Sequence, residues 1–315
     1  MKYRIGVDIG GMSIKVALVD SSGNLSSKVT EVTPLNSKDA LTECICSLID
    51  NVLLQNNVTI NDVESIGIGS PGIINPNMGE IVYASNLGVD KLDIVNRVEK
   101  RYGIDCFVEN DANCAVLGEY YFGNAKGSKN VIMVTLGTGV GTGIIVNDKL
   151  LVAKNGGGTE GGHITIVVDG NHCACGENGC YERYASTSAL IEQTKQAISL
   201  EPNGLLSEIA KEMGEVNGKV VFDAVKKGDK LAKQVLDTYI KYVASGIIGM
   251  CNIFRPEVVL IGGGVSQQDE LLIKPLNKYV NEHLFGSQYL PAIEIKQAKL
   301  KNDAGILGAA MLGVN

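Results

Sequence analysis

Tryptophan is absent from these 315 residues, aromatic residues make up only 5%, and proline occurs seven times. No Pro- or Ser-rich tract interrupts the chain, so any lobes join without a flexible linker. No apolar run approaches the roughly 20 residues needed to span a bilayer. No charged leader with a long apolar stretch stands before the strand-like run from Arg4 to Asp8, and a chain without a secretory signal, resident in the cytoplasm, is expected. Lys and Arg are scattered rather than clustered and the net charge is -7. That leaves no electrostatic footprint for nucleic acid or an anionic membrane, and neither is expected as a partner. Missing too are Gly-x-x-x-x-Gly-Lys-Ser/Thr and a Gly-x-Gly-x-x-Gly run opening a helix, which disfavours Walker and dinucleotide folds.

What is present is a 45% hydrophobic chain long enough for two packed lobes. Its 38 glycines lie in turns after apolar runs, as in loops whose backbone approaches a ligand. Arg4 to Gly10 reads as a strand and Ile14 to Asp20 as its return across Gly11-Met12-Ser13. A second glycine-tipped hairpin runs from Val131 to Gly137 and back over Gly143 to Val146. The recurrence suggests two related lobes, each offering a loop to a common cleft. Helices are expected over Lys38–Leu54, Leu92–Tyr102, Asp111–Tyr121, Thr187–Ile198, Val220–Lys227, Leu231–Ile253, Glu270–His283 and Ala304–Leu312. Strands are expected at Ser65–Ser70, before Asp111, and at Val258–Ile261. This alternation is α/β, with the lobe boundary placed near Gly118 to Gly127.

Asp8-Ile9-Gly10-Gly11 and Leu136-Gly137-Thr138-Gly139 present unshielded amides that can donate to phosphate oxygens, as can Gly262-Gly263-Gly264. Tight turns without a ligand are the alternative, glycine being the default turn residue. Asp8, at a strand end, reads either as a turn cap or as a carboxylate holding magnesium through water. Asp111, beside Asn110 at a strand-to-helix junction, reads either as a helix N-cap or as the base for a substrate hydroxyl.

Of eight cysteines, Cys44, Cys46, Cys106, Cys114 and Cys251 sit in apolar segments and read as core. Cys173, Cys175 and Cys180 instead sit among Gly, Asn and Glu. Three thiolates and one imidazole suit tetrahedral zinc; free thiols or a disulfide are the rivals. For the fourth ligand His172 adjoins Cys173, but a ten-residue spacer lets His163 approach from a separate strand end, and His163 is preferred.

Taken in order, these motifs resemble the ROK family of bacterial sugar kinases and repressors, within the actin-like ATPase superfamily, over essentially the whole chain. Asp8-Ile9-Gly10-Gly11 with Lys15 resembles the first phosphate motif. The run Leu136 to Gly143 resembles the second, Gly262 to Gly264 the adenosine motif, Glu109 to Asn113 the catalytic motif, and Glu160 to His163 followed by Cys173 to Glu182 the family signature. The resemblance implies a two-lobed actin-like ATPase (ribonuclease H-like) α/β fold with a zinc-binding loop in the larger lobe. The smaller lobe would span 1–120, completed by about 303–315, and the larger 121–302. It implies transfer of the γ-phosphoryl group of ATP, with Mg2+, to a hexose hydroxyl, glucose to glucose 6-phosphate first among the candidates. Asp111 would be the catalytic base, and Asn86, Asn110, Glu160, His163 and Glu182 would contact the sugar. Asp8, Gly10, Gly11, Lys15, Gly137, Thr138, Gly139 and Gly262 to Gly264 would serve ATP and its magnesium. His163, Cys173, Cys175 and Cys180 would bind structural Zn2+, and the protein would be a homodimer.

Three positions depart from the pattern frequent in glucokinases of this family. Val89 stands where Trp is frequent, Met12 where Thr is, and Thr159 where Gly is, and they bear on the sugar more than on phosphotransfer. An N-acetylhexosamine kinase, such as one for N-acetylmannosamine, is the nearest rival. A ROK repressor would need an N-terminal DNA-binding domain, for which the early Asp8 leaves no room. A non-catalytic sugar sensor and a filament-forming ATPase are the other readings, disfavoured by Asp111 and the sugar-contact pattern.

Overall fold

Alternation along β1 (Tyr3–Ile9) sends Ile5, Val7 and Ile9 into a fully buried core, while Gly6 lies on the opposite face. The computed structural model describes residues 2–314. β1 pairs antiparallel with β2 (Ser13–Val19), setting Asp8 opposite Lys15, and β2 pairs antiparallel with β3 (Val29–Val32). β4 (Val63–Ser70) then joins β1 in parallel. A small antiparallel sheet follows, made of β5 (Ile73–Asn75), β6 (Glu80–Ala84) and β7 (Val89–Asp93). β8 (Cys106–Asn110) returns to the first sheet, parallel to β4, in the order β3-β2-β1-β4-β8.

Helix α1 (Lys38–Gln55) is capped by Ser37, and its Leu41, Ile45, Leu48, Ile49 and Val52 recur at helical spacing to fill the core that Ile5, Val7 and Ile9 enter. α2 (Ile94–Tyr102) adds Ile94 and Val98 to that core. α3 (Asp111–Phe122) follows β8 directly. Leu92, expected to open the helix ending at Tyr102, belongs to β7; its burial beside Ile94 mimics helical periodicity across the junction.

Strands β9 (Val131–Leu136), β10 (Val140–Val146), β11 (Lys149–Leu150), β12 (Val258–Gly262) and β13 (Glu294–Gln297) form a second five-stranded sheet, in the order β11-β10-β9-β12-β13. The later helices are α4 (Glu182–Ala185), α5 (Thr187–Leu200), α6 (Leu205–Glu212), α7 (Val220–Lys226), α8 (Lys230–Phe254), α9 (Lys274–His283) and α10 (Ala304–Ala309). The helix expected from Glu270 is a π turn over Asp269–Ile273 before α9 begins. Among the described residues no helix is long and apolar enough to cross a membrane.

Two compact units result. One holds the described residues up to Val131, Gly143–Thr159 and the described residues from Lys299 onward; the other holds Ile132–Thr142 and Glu160–Ala298. In the first, Gly6 of β1 and Gly67 of β4 are register partners, and the absence of both side chains lets the α10 backbone lie directly on the sheet.

Candidate functional site

In the first unit the parallel strands β1, β4 and β8 end together. Asp8 pairs with Gly69, Gly69 with Glu109, and Ser70 with Asn110. Ligands of α/β sheets bind beyond such carboxyl ends. The turn after Asp8 is closed by the Gly10 N–H on the Ser13 carbonyl at 3.0 Å, and the Thr33 hydroxyl donates to the Gly10 carbonyl at 2.6 Å. Asn86 stands beside this turn, its Cβ 3.9 Å from where a side chain on Gly11 would begin.

Lys15 Nζ lies 3.6 Å from an Asp8 oxygen. Even so, burial pushes the Asp8 carboxyl above its ordinary value, outweighing the attraction and hydrogen bond of Lys15. A carboxylate left under-compensated at the carboxyl end of β1 is the kind of group that can hold a cation through water.

At the end of β8 the Asn110 side chain caps α3, its Oδ1 accepting the Ala112 N–H at 2.9 Å and the Asn113 N–H at 3.4 Å. Its Nδ2 donates to the Gly72 carbonyl at 3.2 Å. Asp111 is therefore not the cap but the first residue of the helix, with one oxygen 2.8 Å from the Ala112 N–H. Behind them lies Glu109, 5% exposed, whose Oε1 accepts the Asn110 N–H at 2.8 Å and the Asn113 amide at 3.0 Å. Burial pushes its carboxyl up, with these two hydrogen bonds opposing. The sequence placed Glu109 and Asn113 within the catalytic motif but gave neither a role of its own; the signal was two polar residues, Glu109 and Asn110, closing an otherwise apolar strand.

In the second unit the Gly137 to Gly139 turn is closed by the Gly137 N–H on the Gly139 carbonyl at 3.0 Å. The Glu182 carboxylate accepts the Val140 N–H at 2.9 Å, and a side chain on Gly139 would overlap that carboxylate. A side chain on Gly139 would therefore have to displace the Glu182 carboxylate, one oxygen of which serves the loop. Gly263, at φ +88°, lies against the Leu136 carbonyl, whereas the space beside Gly264 is open.

Glu182 is placed by its neighbour Tyr181, fully buried, whose hydroxyl donates to the Val243 carbonyl of α8 at 2.7 Å over the flat Gly246. Glu160 precedes a short 3-10 turn, Gly161–His163, rather than a strand end, and this turn delivers His163. The Gly161 N–H donates to the Thr142 hydroxyl at 2.9 Å. Solvent reaches Glu160, yet crowding raises its carboxyl above the ordinary value; nearby His163 opposes the shift and Glu182 adds to it.

His163, Cys173, Cys175 and Cys180 converge, with all four ligand atoms within 4.8 Å of one another. Nδ1 of His163 is 3.7 Å from Cys173 Sγ, and Cys175 Sγ is 3.6 Å from Cys180 Sγ. Tetrahedral zinc–sulfur bonds of about 2.3 Å would set sulfur atoms about 3.8 Å apart, so the donor set fits zinc. His172 is outside it, its Nδ1 3.3 Å from Asn178 Oδ1. Among the other cysteines, Cys46, Cys106, Cys114 and Cys251 are buried and Cys44 partly so, as expected of core thiols.

The chain belongs to the ROK family, whose pattern matches residues 4–315. It is 34% identical to a glucokinase of Streptomyces coelicolor over 317 residues, covering 99% of this chain and 98% of that protein. It is likewise 34% identical to a glucokinase of Thermotoga maritima, over 98% of this chain and 96% of that protein. Among solved structures, a ROK family glucokinase from Streptomyces griseus in complex with glucose and AMPPNP superimposes with a TM-score of 0.83 at 33% identity, covering 98% of each chain. The α/β fold is thus the one found in that structure, of the actin-like ATPase class.

Proposed function

We propose that the protein is an ATP-dependent hexose kinase, transferring the γ-phosphoryl group of ATP to a sugar hydroxyl, with the 6-hydroxyl of glucose as acceptor. The observation that carries this is the junction of β8 and α3, where Asn110 takes over capping and Asp111 carries a carboxylate at the carboxyl end of parallel strands. Family membership and the glucokinases at 34% identity support it.

Phosphoryl transfer has a loose transition state, so positioning and charge stabilisation count for more than a strong base. On this reading Asp111 orients the attacking hydroxyl and accepts its proton late. Asn86, Asn110, Glu160, His163 and Glu182 hold the sugar. Gly10, Gly11, Lys15 and Gly137 to Gly139 donate to phosphate oxygens, and Gly262 to Gly264 serve the adenosine. Asp8 would hold magnesium, which supplies charge neutralisation at the phosphates. Zinc on His163 Nδ1, Cys173, Cys175 and Cys180 would supply a fixed imidazole orientation, leaving Nε2 of His163 to donate to the sugar. The reading extends to a cytoplasmic homodimer with lobes of 1–120, completed by about 303–315, and 121–302.

Val89, where the resemblance leads one to expect Trp, is 4% exposed and packs in the first unit's core. It offers the sugar no surface; N-acetylmannosamine stands as the second candidate acceptor. The test is ADP release from MgATP with glucose, N-acetylmannosamine, N-acetylglucosamine, mannose, fructose and allose. A dominant rate with glucose is expected; another dominant sugar reassigns the acceptor, and no sugar-dependent rate overturns the kinase.

A further inference from the structure

Thr159 has φ +61°, a region that a β-branched residue enters only against steric cost. Glycine would occupy it freely but would bring no hydroxyl. The Thr159 hydroxyl is 3.2 Å from Oδ1 of Asn113 and 2.6 Å from the Gly158 carbonyl. Asn113 is 3% exposed, and its Nδ2 donates to Glu109 Oε1 at 3.0 Å. An ionised carboxylate only accepts, so the Asn113 amide must turn its nitrogen to Glu109 and its oxygen to Thr159. The Thr159 hydroxyl is then the donor, its single proton shared between the Gly158 carbonyl and Asn113 Oδ1. The same Glu109 oxygen accepts the Asn110 N–H at 2.8 Å, which completes a part-buried chain from Thr159 to the turn that carries Asp111.

We infer that Glu109, Asn113 and Thr159 form a positioning relay that fixes the backbone at Thr159 against the Asn110–Asp111 turn. None of the three need touch a reacting atom. Because Thr159 immediately precedes Glu160, the relay's consequence for sugar binding rests on the hexose-kinase reading. A hydroxyl kept in place against steric cost sharpens sugar affinity and leaves ATP affinity alone.

Three variants test this. Thr159→Val keeps the branch and removes the donor; Thr159→Gly removes the donor and the steric cost together; Thr159→Ser restores the donor. In the first two the sugar KM is expected to rise about five- to tenfold, the factor for one net hydrogen bond, with the ATP KM unchanged. Thr159→Ser recovers most of that loss, and amide exchange at Asn110 quickens by a similar factor in Val and Gly alone. If Thr159→Val does not fold, Thr159→Gly, with its relaxed backbone, carries the comparison. An active wild type with unaltered sugar KM in the variants overturns the relay and leaves the kinase standing. A wild type without sugar-dependent turnover overturns the kinase, and unchanged exchange at Asn110 then overturns the relay on its own.

Discussion

Asn110 caps the helix that Asp111 begins: one side-chain oxygen accepts the N–H groups of Ala112 and Asn113, at 2.9 and 3.4 Å. The usual job of an acid at a helix start is therefore already filled by the preceding residue.

This division of labour separates activity from stability. Asp111→Asn should lower kcat by about 10²- to 10⁴-fold, the range for losing a general base, while the thermal midpoint stays within about 2 °C. Sugar-dependent ADP release and a thermal melt check it together. Wild-type turnover in the variant would remove Asp111 from the chemistry.

Some of this was legible in the residues. Strict alternation in Ile5, Val7 and Ile9 and the glycine tip after Ile9 make the β1–β2 hairpin readable, since both signals are local. The donor cluster was readable because Cys173, Cys175 and Cys180 crowd into eight residues. The β5–β7 sheet was not: its strands are three to five residues long, and the turns at Pro76 to Gly79 and Ser85 to Gly88 break any sustained alternation. Nor was the relay, because Glu109, Asn113 and Thr159 acquire meaning only when a loop 46 residues downstream closes on α3. The seat of α10 was equally hidden, since Gly6 and Gly67 read as ordinary strand glycines until Ile306 and Ala309 lie on them.

Gly67 tests that seat. A side chain there would overlap the Ala309 carbonyl, and the obstacle is backbone, which cannot swing away. Gly67→Ala should cost roughly 1–3 kcal/mol in denaturant unfolding, as overpacking does. Gly264→Ala, facing open space, should stay within about 0.5 kcal/mol. Equal stability of the two variants would disprove the close packing of α10.

Cys175 is the exposed thiol of the donor cluster, while Cys173 and Cys180 are buried. Cys175→Ser therefore removes a ligand without opening a core cavity. The variant should purify with bound zinc falling from about one equivalent to near none, and with a lower thermal midpoint. A chelator should lower the wild-type midpoint and leave the variant's unchanged. Full zinc content in the variant would exclude Cys175 as a ligand.

Glu109 makes stability depend on pH in a direction fixed by its burial. Its carboxyl is raised in the folded state, so the folded protein holds the proton more tightly than the unfolded chain does. The resulting stabilisation is fully present below the unfolded value, about 4.3 for a glutamate. It is lost as pH rises through the folded value, because the charged form must then sit away from water. Gln in its place carries no charge, and its amide oxygen can still accept the Asn110 and Asn113 N–H groups that now meet Oε1. Glu109→Gln should thus gain little near pH 4 and become progressively more stable than wild type toward pH 8. Urea unfolding of both proteins across that range measures the difference. A gap that stays constant with pH would show that Glu109 titrates alike in both states, and a gap that narrows would reverse the sign of the burial effect.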